Sequence, residues 1–401
     1  MEREFFGKLR RELLNILEEG KQWEDQEILG KIDELILVHT RRSSMAMQEK
    51  ERIRKELFYS VRKLDILQEL LEDEGITEIM VNGYKNIFYE KNGKKCKWEK
   101  TFFSEERLED VVQQIVGKCN RVINENSPIV DARLEDGSRV NAVVYPVALN
   151  GPILTIRRFP EKAITMETLI VNNSITDEAA QFLKSMVEAR YSIFIGGGTS
   201  SGKTTFLNAL SNFIPKDERI ITIEDCAELQ IQGIDNLVRL ETKPANMEGN
   251  KEITIRDMIR TALRMAPNRI IVGEVRGGEV VDLLQAWNTG HEGSLGTAHA
   301  NSTKDMISRI EMMFLMGLEI PIEAIRMQIA SGINLLVHLG RLADGSRKVL
   351  EITEIVGYEK NEVKMQPLYM WDYTENVLKK CNALINTVKL ERLLNGKNSR
   401  Q

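Results

Sequence analysis

Gly197-Gly198-Thr199-Ser200-Ser201-Gly202-Lys203-Thr204 satisfies every fixed position of the pattern G-x-x-x-x-G-K-[ST]. An apolar run, Ser192 to Ile195, precedes it and reads as a strand. An amphipathic run, Lys203 to Asn212, follows and reads as a helix. Strand, glycine-rich loop and helix in that order make a cradle for phosphates. The glycines let the backbone turn its N–H groups inward around oxyanions, and the starting helix adds partial positive charge. Lys203 has the reach for β- and γ-phosphates, and the Thr204 hydroxyl can ligate Mg²⁺. Gly197, Gly198, Thr199, Ser200, Ser201, Gly202 and Thr205 complete the loop. A chain of this length meets the pattern by accident roughly 1% of the time at ordinary residue usage, so a merely structural turn is the weaker reading.

Binding a nucleotide is not hydrolysing it. Hydrolysis also needs a group that orients water and charge that steadies the transferring phosphoryl group. Arg269 to Gly273 is an apolar strand followed by Glu274, at the kind of strand end that faces a ligand crevice. An Asp is usual before such a Glu; here that position is Gly273. Glu274 is therefore the candidate for water activation and for work around Mg²⁺, against the plainer reading of a solvated carboxylate. Ile220 to Ile223 is a second strand, closed by Glu224 and Asp225 with Glu228 beyond. Two acids there can hold a hydrated Mg²⁺ or simply form a loop or cap. Two of the four histidines, His291 and His299, fall in one glycine-rich segment and can donate to a phosphate. His39 and His338 read as packed residues.

Outward from the loop, strands and helices alternate over 177–390. Such alternation predicts a mainly parallel sheet with helices on its faces. Residues 1–73 show helical periodicity, with Phe6, Leu9, Leu13 and Leu17 on one face and Ile53, Leu57, Val61 and Leu64 on another. Three or four helices in a bundle are expected, with charged stretches such as Arg41 to Ser44 between their faces. Residues 74–160 change to short strands around Asn82-Gly83, Asn92-Gly93, Asp136-Gly137 and Asn150-Gly151, with a helix over 105–123. This predicts an α+β domain. Lysines 91, 94, 95, 97 and 100 surround its second turn and read as a solvated hairpin. Phe159-Pro160 and the polar residues to Thr176 read as a linker over 161–176, and 391–401 as a flexible tail. The expected architecture is thus α/β: helical bundle, α+β domain and nucleotide-binding domain.

The composition agrees. The 401 residues are 42% hydrophobic and 29% charged with a net charge of −5, a globular profile without the basic footprint of a nucleic-acid binder. The first residues, Met-Glu-Arg-Glu-Phe-Phe, do not read as a signal peptide, and no apolar run approaches the ~18 residues of a membrane span. A cytosolic protein is expected. Four scattered cysteines, Cys96, Cys119, Cys226 and Cys381, suggest neither zinc nor disulfides, and buried thiols are expected.

Together these residues resemble the type II/type IV secretion-system ATPase superfamily, and within it the CpaF-like ATPases of Tad/Flp pilus assembly. The resemblance runs over roughly 50–370. It is carried by Glu78 to Gly83, Ser127 to Arg133, Asp136 to Asn141, Leu154 to Phe159, the phosphate loop, Arg264 to Glu279 and Asn288 to Ser302. It implies a RecA-like nucleotide domain and Mg²⁺-dependent ATP hydrolysis. It further implies Lys203, Glu274, Glu224 and His299 as catalytic residues, Thr204 and Glu274 at the metal, and Asp225, Arg276 and His291 near the nucleotide. Gly273 matches the family, so the missing Asp is not a departure. Arg139 and Arg157 match the arginines that the family's N-terminal domain brings to the phosphates, with Arg133 and Arg158 weaker matches. The absence of a tetracysteine insertion favours the Tad-like branch.

The resemblance also implies a homohexamer at the cytoplasmic face of the inner membrane, acting on a polytopic platform protein without direct nucleic-acid contact. The expected function is a motor for pilus assembly, with retraction left open. Two alternatives stand beside it: a conjugation or effector-export ATPase of the same superfamily, and a nucleotide-gated scaffold with little turnover.

Overall fold

The structure, a computed structural model, describes residues 2–17, 23–40, 45–91, 93–119, 121–134, 136–158, 164–243 and 252–398. Arg41 to Ser44, Asn92 of the second hairpin turn, Phe159-Pro160, the start of the expected linker (161–163) and the last three residues of the expected tail lie outside the described residues. The chain divides into two compact units, Met1–Glu161 and Lys162–Gln401.

The first unit opens with three amphipathic helices, α1 (Glu2–Leu17), α2 (Asp25–Thr40) and α3 (Met47–Arg62). Their apolar stripes meet in a core of Leu9, Leu13, Ile28, Ile32, Ile36, Ile53 and Leu57. Burying each such side chain stabilises the bundle by about 1.5–3 kcal/mol. A fourth helix, α4 (Leu67–Glu72), buries Leu67 and Leu70 in a different core. That core lies on a six-stranded antiparallel sheet of β1 (Ile76–Asn82), β2 (Ile87–Lys91), β3 (Lys94–Lys97), β4 (Ile129–Arg133), β5 (Arg139–Val143) and β6 (Ile153–Arg157), in the order β3-β2-β1-β6-β5-β4. Helix α5 (Glu105–Lys118), capped where the Ser104 hydroxyl accepts from Arg107 N, covers it with Leu108, Val111, Val112, Ile115 and Val116.

The second unit begins with α6 (Met166–Val171) and α7 (Asp177–Glu188), followed by β7 (Ile193–Gly197), α8 (Lys203–Ser211), β8 (Ile220–Glu224) and β9 (Leu237–Glu241). Next come α9 (Ile255–Ala262), β10 (Arg269–Val272), α10 (Val280–Asn288), β11 (Leu295–His299), α11 (Thr303–Gly317) and α12 (Ile322–Gly332). The chain closes with β12 (Leu335–Arg341), β13 (Arg347–Glu359), β14 (Glu362–Asp372), β15 (Val377–Lys380) and α13 (Val388–Asn398). One nine-stranded sheet runs β15-β14-β13-β12-β7-β11-β10-β8-β9. From β12 to β9 every pairing is parallel, while β13, β14 and β15 add antiparallel strands. Apolar cores cover both faces, which is why β7, β8 and β10 are buried end to end.

Three expectations need correction. Residues 166–171 of the expected linker are helix α6, because Met166 and Ile175 bury into the core against α7. The tail is helical through Asn398, as part of a helix that starts at Val388: its Leu393 packs on the same core, and just ahead of the tail Leu390 packs there too and Lys389 Nζ donates to Arg190 O and Asn334 Oδ1. The cysteines are not buried. Cys96 stands on the solvent-facing edge strand β3, and Cys381, just past β15, is exposed.

Candidate nucleotide site

Parallel register lines up one edge of the second unit's sheet. Gly197 at the end of β7 pairs with His299 on β11 and with Leu339 on β12. Val272 on β10 pairs with Gly296 and Ile223, so Glu224, Gly273 and Glu274 emerge at that same carboxyl edge. The loop between β7 and α8 has the backbone that a phosphate cradle requires. Gly202 has φ +94°, and Ser200 enters the left-handed region at φ +58° although it is not glycine. Gly197 has no room for a side chain: a Cβ there would stand 2.4 Å from Ser201 Oγ and 2.6 Å from Leu339 O. Thr199 and Ser200 are exposed, whereas Lys203 is only 8% exposed and Thr204 and Thr205 are half-buried in the first turn of α8.

Lys203 starts a chain of contacts across the site. Its Nζ donates to Gly197 O (3.1 Å) and Gly198 O (3.0 Å) and lies 3.3 Å from His299 Nδ1. An ammonium group only donates, so Nδ1 is the acceptor and the imidazole proton sits on Nε2. Nε2 in turn stands 2.7 Å from Glu274 Oε1. Burial, with Lys203, Arg276 and Arg309 close by, holds His299 below its usual range against the opposing pull of Glu274. Arg276 then forks onto Glu274 Oε2 through Nε (2.9 Å) and Nη2 (2.6 Å), and its Nη1 lies 3.4 Å from Asp225 Oδ2.

Glu224 plays a different part. It is 2% exposed, and its Oε1 accepts the backbone N–H of Glu228 (2.9 Å) and Leu229 (2.8 Å). Burial pushes its carboxyl up to about 7 despite those bonds and Arg239. Glu224 Oε2, Glu274 Oε1 and Ser201 Oγ are buried without an aligned hydrogen bond. Unsatisfied oxygens beside a phosphate cradle fit a hydrated Mg²⁺ and a nucleotide, whose donors and positive charge would complete them.

The sequence-predicted residues divide by place. Lys203, His299, Glu274, Arg276, Asp225 and Glu224 come together with the loop. His291 does not. It lies four residues before Leu295, which pairs with Ile193 at the amino edge of the sheet, and its Nδ1 is 3.1 Å from Pro267 O. Spacing in sequence put the two histidines together, and strand β11 separates them. In the first unit, Arg133, Arg139 and Arg157 are direct cross-strand neighbours on β4, β5 and β6. Arg139 and Arg157 have no side-chain ion pair among the described residues, and like charges placed opposite one another are destabilising without an anion. Arg158 instead donates to Asp73 O at 2.6 Å, a structural tie. Thr297 has a role that sequence reading passed over: its buried hydroxyl donates to Gly273 O at 2.6 Å, tying down the turn that carries Glu274. The available signal was alternation, since Thr297 and His299 share one strand face.

The chain belongs to the type II/IV secretion system protein family, whose model matches residues 61–386. A Mycobacterium tuberculosis protein with a provisional conjugal-transfer name is 34% identical over 312 residues, covering 76% of this chain and 87% of that protein. The type IV secretion system protein PtlH of Bordetella pertussis is 32% identical over 315 residues, covering 72% and 93%. Among solved structures, the Legionella pneumophila ATPase DotB superposes with a TM-score of 0.52 at 22% identity, over 71% of this chain and 78% of that one. The expected α/β architecture with a RecA-like second unit is therefore established.

Proposed function

We propose that this chain is a Mg²⁺-dependent ATPase that converts ATP and water to ADP and phosphate and works as a motor on a secretion or pilus machine. The observation that carries the reading is the path from Lys203 through His299 to Glu274 at the mouth of the phosphate loop. Mg²⁺ would be held by Thr204 with Glu274 nearby, and when bound it neutralises charge on the β- and γ-phosphates. Lys203 exchanges its loop carbonyls for phosphate oxygens. Glu274 orients the attacking water and draws off its proton while the bond from the γ-phosphorus to the bridging oxygen breaks. His299, with its proton on Nε2, sits between the lysine that reads the phosphate and the carboxylate that acts on water. Arg139 and Arg157 are the proposed additional phosphate ligands.

The machine is proposed to be a Tad/Flp-type pilus, with the motor a homohexamer at the cytoplasmic face of the inner membrane, engaging a polytopic platform protein. Among the described residues no helix is long and apolar enough to cross a membrane, so attachment would run through that partner. Conjugation or effector export is the second reading, favoured by the names of the curated relatives. ATP turnover by the purified chain, with and without Mg²⁺, tests the enzymatic reading. Turnover that requires Mg²⁺ is expected. Tight ATP binding with background turnover, at concentrations where rings form and with membrane partner supplied, would leave a nucleotide-gated scaffold.

A further inference from the structure

We propose that Glu279 is a positioning residue for hydrolysis, holding the Arg276–Gly278 turn so that the Arg276 guanidinium stays forked on Glu274. The inference rests on the ATPase reading. Glu279 stands at the start of α10, where an acidic side chain would ordinarily cap the helix's own N–H groups. It makes no such cap. Its Oε1 reaches backwards and accepts from Arg276 N (2.6 Å) and Gly277 N (3.0 Å). One carboxylate oxygen thus gathers two consecutive N–H groups and closes the turn directly beneath Arg276.

A second contact fixes where that turn sits. Gly278 and Gly317 meet backbone to backbone: a Cβ on Gly278 would stand 2.6 Å from Gly317 Cα, and one on Gly317 would stand 2.4 Å from Gly278 O. Neither neighbour is a side chain that can swing aside. Gly317 ends α11, and α11 starts from the Ser302 cap three residues beyond His299. The helix is therefore a strut. One end follows the imidazole that touches Glu274 Oε1, and the other bears on the turn whose arginine holds Glu274 Oε2. Both oxygens of the candidate water-activating carboxylate are referenced to one rigid element. Turnover should then depend on residues that touch neither nucleotide nor water.

The test compares kcat and KM for ATP in the full chain for wild type, Glu279→Ala, Glu279→Gln, Gly317→Ala, Arg276→Ala and the Glu279→Ala/Arg276→Ala double variant. Glu279→Ala is expected to lower kcat about tenfold or more with KM within about threefold, because the loss falls on the chemical step. Glu279→Gln keeps an acceptor oxygen and should hold kcat within about threefold of wild type. Gly317→Ala should reproduce the kcat loss from 38 residues away. On the Arg276→Ala background, Glu279→Ala should add nothing, since residues acting through one another are not additive. Full additivity, or a loss confined to KM, overturns the inference. If Glu279→Ala does not fold, Gly317→Ala with and without Arg276→Ala decides the same question. Wild-type turnover with an unaffected Glu279→Ala defeats this inference alone, whereas a wild type without turnover defeats the ATPase reading and this inference with it.

Discussion

Gly273 and Glu224 share one space: a Cβ on residue 273 would stand 2.9 Å from Glu224 Cγ and 3.4 Å from its Oε1. The glycine that replaces the usual Asp is thus the condition for burying Glu224 beside the strand end. Glu224 Oε1 holds the turn at Glu228 and Leu229, and the position after Gly273 carries Glu274. Gly273→Ala should displace the Glu224 stem at a cost of about 1–3 kcal/mol, as overpacking does. Urea melts should show that loss and turnover should fall with it; an unchanged midpoint and rate would contradict the packing argument.

Glu224 should make stability depend on pH with a definite sign. Its carboxyl is raised from an ordinary 4.5 to about 7, chiefly by burial. Between those values the folded state binds the proton and the unfolded state does not. Stability therefore falls as pH rises through that interval, and above it the fold carries a buried charge. Glu224→Gln keeps an acceptor for the two N–H groups and removes the ionisation. Its thermal midpoint should gain on wild type between pH 5 and pH 8, and a constant difference across that range would contradict the assignment.

His299 should be neutral at pH 7 with its proton on Nε2. Burial, Lys203, Arg276 and Arg309 all hold it below the usual imidazole range. Replacing Lys203 by Met removes a neighbouring positive charge, so the His299 titration should move up. With four histidines in the chain, ¹H–¹⁵N imidazole spectra can follow it. A titration that does not move would break the Lys203–His299 contact out of the account.

Far from the site, Arg269 is fully buried and forks onto Glu218 at 2.7 and 2.9 Å, with Nη1 also donating to Val187 O and Gly293 O. Glu218→Ala would leave that guanidinium buried without its counter-charge. A loss of about 3–5 kcal/mol is expected by denaturant unfolding. A loss under about 1 kcal/mol would mean that water reaches the arginine.

How much of this was legible depends on range. The phosphate loop is local: strand, glycines, lysine and helix follow one another, so its elements emerge where the sequence places them. Glu274 and Glu224 were legible for a related reason, because a carboxylate that ends an apolar run ends a buried strand. The pairing of His291 with His299 failed since proximity along the chain says nothing about a strand that runs between them. Helix α6 hid behind Asn172, Asn173 and Ser174, which do end it, while the buried Met166 that anchors it carries no local signal. The meeting of Gly278 with Gly317 is a long-range pairing, which periodicity does not encode, whereas β13, β14 and β15 join the sheet through short hairpin turns and are local.

The central claim is that Glu274 acts on water at a loop that binds the nucleotide independently of it. Glu274→Gln tests that most directly, with ATP affinity and turnover measured on the same preparation. Because the amide keeps the shape but cannot take the water's proton, Kd for ATP should stay within about threefold while turnover falls about a hundredfold or more. A Glu274→Gln protein that hydrolyses ATP at the wild-type rate would contradict the account.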